Sequence, residues 1–94
     1  VTYQEIIDLF AKRFIPLSRL EMKILEHICS NDSATLTKIC DELDVTEGNA
    51  RLLKRRINVK LLHIKAACRI VVQRQDKPNS PHVWAVVDDM GFGI

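Results

Sequence analysis

The spacing of apolar residues changes once along the chain, and that change decides the fold class. Up to about residue 60, apolar side chains recur every three or four positions, the period of helices that bury one face. From Leu61 the period falls to two. Leu62, Ile64, Ala66, Cys68, Ile70 and Val72 alternate with His63, Lys65, Ala67, Arg69, Val71 and Gln73, as in a half-buried strand. The run is long for one strand, so a bulge or break is expected near Ala66-Ala67. Leu61, Ile64 and Cys68 also fit a helical stripe, which makes a longer helix the rival reading. Asp76-Lys77-Pro78-Asn79-Ser80-Pro81 is a turn cluster. His82 to Val87 is then a returning strand, with Trp84 and Val86 on one face. The expected fold is α+β and mostly α, with about four helices followed by a C-terminal β-hairpin.

A chain of 94 residues can bury one modest core, so residues 1–94 read as a single domain. A two-domain enzyme, an eight-unit barrel and a repeat array are excluded. No apolar run approaches the ~20 residues of a membrane helix, and no signal peptide opens the chain. Val1, which is not a methionine, leaves both a processed chain and an excised domain open.

The helix borders carry local signals. Thr2-Tyr3-Gln4-Glu5 and Ser18-Arg19-Leu20-Glu21 have the form of capping boxes, and Leu17 and Met22 are spaced as a hydrophobic staple. The first helix, within residues 1–15, has Ile6, Ile7, Leu9, Phe10 and Phe14 on its apolar stripe, and Pro16 ends it. The helical core spans 18–60. Its first helix buries Ile24, Leu25, Ile28 and Cys29. Thr35 caps a helix over 36–43 with Ile39, Cys40 and Leu43 inward. Asp44-Val45 is a tight break, and Thr46 caps a last helix running to about Asn58. The hairpin takes 61–88, and 89–94 is a tail without a strong signal.

The formal charge of +2 conceals a partition. Residues 1–50 carry 5 basic and 9 acidic side chains, residues 51–77 carry 9 basic and 1 acidic, and residues 78–94 carry 2 acidic. Like charges gathered in one third of a small domain repel one another, and a polyanion is the usual partner that makes this tolerable. A solvated helix face is the plainer alternative.

The stretch 36–55, LTKICDELDVTEGNARLLKR, has the spacing of two helices crossing through a short turn. Cys40 and Ala50 are small at the crossing and Val45 plugs the corner. Asp44 stands where such turns usually hold Gly, and Asp tolerates the left-handed conformation better than most residues. Followed by a hairpin, this pattern resembles the winged helix-turn-helix DNA-binding domain of small bacterial transcription regulators. Met22-Lys23-Ile24-Leu25-Glu26 and the run from Ile39 to Arg51 are similar to the short regulators of fimbrial operons. The resemblance covers about residues 20–62. It implies a sequence-specific reader of double-stranded DNA, with the 46–58 helix in the major groove and the hairpin as a wing.

The residue types fit that use. Arg51 and Arg55 can grip base edges, Asn49 can read an adenine, Leu52 can touch a thymine methyl, and Glu47 shares their face. Gly48 lets the backbone approach. Thr35, Thr37, Lys38 and Thr46 are expected at phosphates near helix N-termini. Lys54, Arg56 and Lys60 would flank the backbone, and Arg69, Arg74 and Lys77 would lie along the wing. Ile6, Phe10 and Phe14 serve either a two-fold dimer contact or the domain's own core. An interaction module of the same fold, and a DNA-binding domain of a larger replication or mobile-element protein, are the rival functions.

Other residues have plainer readings. Cys29, Cys40 and Cys68 form no CxxC pair and face inward, which suggests free thiols in a reducing cytoplasm. His27, His63 and His82 lack zinc spacing, so no metal is expected. Trp84 reads as a core plug. There is no nucleophile–base arrangement, so neither an enzymatic activity nor a cofactor is expected.

Overall fold

Four hydroxyl side chains mark where the helices begin. Thr2 accepts from the Glu5 N–H at 3.2 Å, Ser18 from Glu21 at 3.2 Å, Thr35 from Lys38 at 3.3 Å and Thr46 from Asn49 at 3.2 Å. Each satisfies one orphan donor of a first helical turn. At Ser18 the box is complete, because Glu21 Oε1 accepts from the Ser18 N–H at 3.0 Å. The computed structural model describes residues 2–31, 33–74 and 82–88. The helices are α1 (Tyr3–Lys12), α2 (Arg19–Ser30), α3 (Leu36–Leu43) and α4 (Glu47–His63).

Three helix ends share one device. Phe14, Asp44 and Lys65 have φ of 56°, 54° and 57°, left-handed values that ordinarily favour Gly. After α1, the Phe14 N–H donates to Ala11 O and the Ile15 N–H to Phe10 O, both at 3.2 Å. After α4, the Lys65 N–H donates to Leu62 O at 3.0 Å and the Ala66 N–H to Leu61 O at 2.9 Å. After α3, the Val45 N–H reaches back to Cys40 O at 3.2 Å. In each case the next residue, Ile15, Val45 or Ala66, packs against the core. That apolar contact holds the turn where glycine is missing.

The three strands form one antiparallel sheet. β1 (Ala34–Thr35), β2 (Cys68–Gln73) and β3 (Val83–Asp88) lie in the order β1-β3-β2. Ile70 stands opposite Val86, and Ala34 opposite Trp84. The core joins Ile6 and Phe10 of α1, Ile24, Leu25 and Ile28 of α2, Ile39 of α3, and Ala50, Leu53, Ile57 and Leu61 of α4. The sheet closes it with Cys68, Ile70 and Trp84. The domain is therefore α+β, with four helices and a three-stranded sheet among the described residues.

Several expectations change. α4 runs to His63 rather than Asn58, and β2 begins at Cys68 rather than Leu61. Ile64 fits both periods, and burial of Leu61 beside Ile57 resolves the choice toward helix. The break expected near Ala66-Ala67 is the passage from α4 to β2. β1, two residues long, was not foreseen. Ile6 and Phe10 lie in the domain's own core at 0% and 3% exposure, one of the two uses expected of them. Phe14 lies beyond the end of α1 and is 92% exposed.

One buried ion pair ties the helices together. Glu21 is 3% exposed, and its Oε1 accepts from Lys60 Nζ at 2.8 Å. Lys60 also donates to Pro16 O at 3.0 Å. Burial pushes the Glu21 carboxyl up, but the bonds from Lys60 and Ser18 outweigh it, and its pKa lies below the ordinary value. The contribution is therefore complete above the ordinary carboxylate pKa and disappears as pH falls through the lowered one. Glu21→Gln keeps the cap acceptor and removes the charge. It is expected to cost about 1–3 kcal/mol near neutrality, with the gap to wild type closing in acid, measured by denaturant unfolding at several pH values. Lys65→Gly relieves a left-handed residue whose side chain is exposed. It should stabilise by about 0.5–1 kcal/mol in the same assay.

Candidate nucleic-acid interface

α4 has two flanks and a crest. Its buried face of Ala50, Leu53, Ile57 and Leu61 fixes where the rest point, because successive residues turn by about 100°. Arg51, Lys54 and Asn58 fall on the flank toward the hairpin, Arg56 and Lys60 on the other, and Gly48, Leu52, Arg55 and Val59 outward.

The hairpin flank lines an open groove of about 400 Å³. Arg51 and Lys54 form one wall, Thr35, Leu36 and Thr37 at the start of α3 another, and Val72, His82 and Trp84 the sheet side. Lys54 Nζ sits 5.2 Å from the centre of the Trp84 ring, a cation–π contact that draws it toward the sheet. Trp84 is 3% exposed and is the core plug expected of it. The first N–H groups of α3 add a positive helix end.

The expected site residues divide. Glu47 and Arg51 pair across one turn at 3.8 Å with both side chains more than 60% exposed, a contact weak enough to exchange for another partner. Asn49, Leu52, Arg55 and Arg56 are exposed. Arg55 and Arg56 have no ion-pair partner among the described residues. Thr37 and Lys38 are exposed at the start of α3, and Lys38 Nζ reaches Ser33 Oγ at 3.4 Å. Thr46 is exposed while it caps α4. Thr35 is buried, its hydroxyl engaged as a cap. Lys60 is not a free cation, because Glu21 and Pro16 hold it. Arg69 is exposed on the sheet face opposite Cys68 and Ile70, away from the groove. Arg74 is exposed just past β2. Lys77 and the turn cluster lie outside the described residues.

Two further features bear on this helix. Gly48 is exposed within α4, and a Cβ added there would meet nothing within 4 Å. Glycine weakens a helix, and no neighbour inside the domain requires it. The second is Asn58. Its Nδ2 donates to Ile70 O at 2.9 Å and its Oδ1 accepts from the Ile70 N–H at 2.8 Å. The side-chain amide thus pairs with β2 as a neighbouring strand would and sets the distance from α4 to the hairpin. An Asn inside a helix, where it competes poorly, was the only hint.

Burial pushes the Cys29 and Cys40 thiols up, so both remain protonated near neutral pH. Among the described residues no group of three His, Cys, Asp or Glu comes together. No helix there is long and apolar enough to cross a membrane. Compared with protein-family models, curated proteins and solved structures, the chain matches none.

Asn58→Ala leaves the Ile70 N–H and C=O unpaired. It is expected to cost about 2–3 kcal/mol, and the Ile70 amide should exchange with solvent faster than the core amides of α2, as hydrogen exchange would show.

Proposed function

We propose that the protein is a transcription regulator of the winged helix-turn-helix kind that binds double-stranded DNA. The observation that carries this reading is the shared groove. Arg51 and Lys54 of α4, the start of α3, and the hairpin's Val72 and Trp84 converge on one open concavity. A helix entering the major groove brings its N-terminal half to the base edges. Arg51, Leu52 and Arg55 would meet bases, Asn49 an adenine edge, and Gly48 would let the backbone come close. Thr37, Lys38 and Thr46 would hold phosphates at the helix starts. The hairpin would act as the wing, with Arg74 at a phosphate strand. Lys60 and Thr35 have internal duties and leave this set. Glu47 would release Arg51 to the DNA and shape base preference.

Gly48 supplies a second support. It forgoes a side chain in the first turn of α4, and close approach of a ligand to the backbone is one use of such a glycine. Gly48→Ala should therefore raise stability by about 0.5–1 kcal/mol and yet weaken DNA binding.

The decisive measurement is retention of genomic DNA fragments over a range of salt, with the retained fragments sequenced. Enriched sites and a steep negative salt slope are expected. Arg51→Ala should cost about 1–3 kcal/mol and relax preference at one base pair. Arg74→Ala should weaken all sequences alike and flatten the slope. No retention at low salt would overturn the proposal.

A further inference from the structure

DNA reading uses Leu52 and the guanidinium groups of α4 but leaves the aliphatic side chains in the second half of the helix, Val59 and Leu62, unexplained. Leu52 is 44%, Val59 59% and Leu62 79% exposed. They fall within a sector roughly 80° wide and span about 15 Å of helix. The opposite face of the same helix is fully committed to the core. A helix apolar on two sides has use for two apolar partners, and the domain supplies one. Val59 and Leu62 lie about 18 Å or more from the N-terminus of α4, beyond the half expected to reach bases. Phosphate contacts would not take them out of water.

Two open hollows flank Val59. One, of about 470 Å³, has Asn58 and Leu62 in its wall. The other, of about 290 Å³, lies between Leu52, Arg56 and Lys60. Both include Arg55. The charges around the crest identify the occupant. Arg55 and Arg56 have no acidic partner among the described residues, and the Lys60 ammonium is already neutralised by Glu21. A second copy of this face would bring arginines against arginines, which disfavours it. A helix with leucines on one face and carboxylates along its edges meets both the aliphatic crest and the free guanidinium groups.

We propose that the outward face of α4 from Leu52 to Leu62 docks an acidic amphipathic helix of a partner protein. Leu52, Val59 and Leu62 receive its apolar face, and Arg55 and Arg56 its carboxylates. The proposal does not rest on DNA binding, and because Leu52 and Arg55 are also the residues proposed to meet bases, the helix and DNA would exclude one another there.

The probe is a synthetic peptide of about 18 residues with leucines on one helical face and glutamates on its flanks. It is titrated into the ¹⁵N-labelled full chain and followed by NMR. Saturable shifts centred on Leu52, Arg55, Val59 and Leu62 are expected. The double variant Val59→Ser with Leu62→Ser replaces exposed side chains, so its spectrum should stay dispersed while affinity falls about tenfold or more. Arg55→Gln with Arg56→Gln should weaken binding as well. Absence of saturable shifts overturns the proposal. Equal binding of a peptide with the same composition in scrambled order overturns it in favour of charge attraction alone. Self-association of the unmodified chain by sedimentation, lost in the Val59/Leu62 variant, overturns it in favour of a second copy.

Discussion

Asn58 holds the hairpin to α4 through two hydrogen bonds to one residue, Ile70, and the shape of the groove follows from that contact. α4 and β2 are also joined by the short turn of residues 64–67 and by apolar packing, which is non-directional. A primary amide presents a donor and an acceptor in one plane, as a peptide does, so it fixes angle as well as distance. β2 has β3 on one side only, and the amide occupies the other side at Ile70. That closes part of an edge that could otherwise pair with another chain. Lys54 and Arg51 stand one and two turns before Asn58 on the same flank. The polar contact near the end of the helix therefore sets the spacing in which both cations face the sheet.

The opposite flank is held differently. Lys60 reaches across to Glu21 and Pro16, so α4 is tied to the start of α2 as well as to β2. Losing Lys60 would leave the Glu21 carboxylate, 3% exposed, without a compensating charge, which is why such pairs are costly to break. This use of Lys60 also changes the meaning of the basic run from Arg51 onward. Of its side chains on α4, one neutralises a buried carboxylate and one lies over the indole of Trp84. Arg51, Arg55 and Arg56 remain toward solvent. Charge counted along a sequence overstates a ligand-binding face whenever some of the cations have structural partners.

What could be read from the sequence was local. All four N-caps are visible, because a hydroxyl and the N–H it serves lie three residues apart. The end of α3 is visible too, because Asp44 accepts a left-handed backbone and Val45 packs behind it. The end of α4 is not. Lys65 carries no such signal, and Ile64 and Cys68 satisfy a helical and a strand period alike. β1 has two residues, too few to show any period. Ile6 and Phe10 could be seen as an apolar stripe, but a stripe does not say whether it meets its own core or another chain. For the candidate site, the basic helix face and the buried Trp84 were legible. The duties of Lys60, Thr35 and Asn58 were not, since their partners lie far along the chain or, for Thr35, depend on a strand without sequence signal.

Rigidity on two flanks bears directly on what the outer face of α4 can do. A surface that must read a shape or grip a partner loses affinity when binding has to order it first. Here Asn58 and Lys60 immobilise the helix from both sides, and the Lys65 turn closes its end without a glycine. The crest is left with features that the fold itself does not use: Gly48 near one end, Leu62 near the other, and Arg55 between them. Each costs the isolated domain something, whether helix stability, apolar surface left in water or an uncompensated charge. Contacts made outside the domain, of the kinds proposed above, would explain three such costs on one face of a helix held from both sides, and no contact among the described residues removes them.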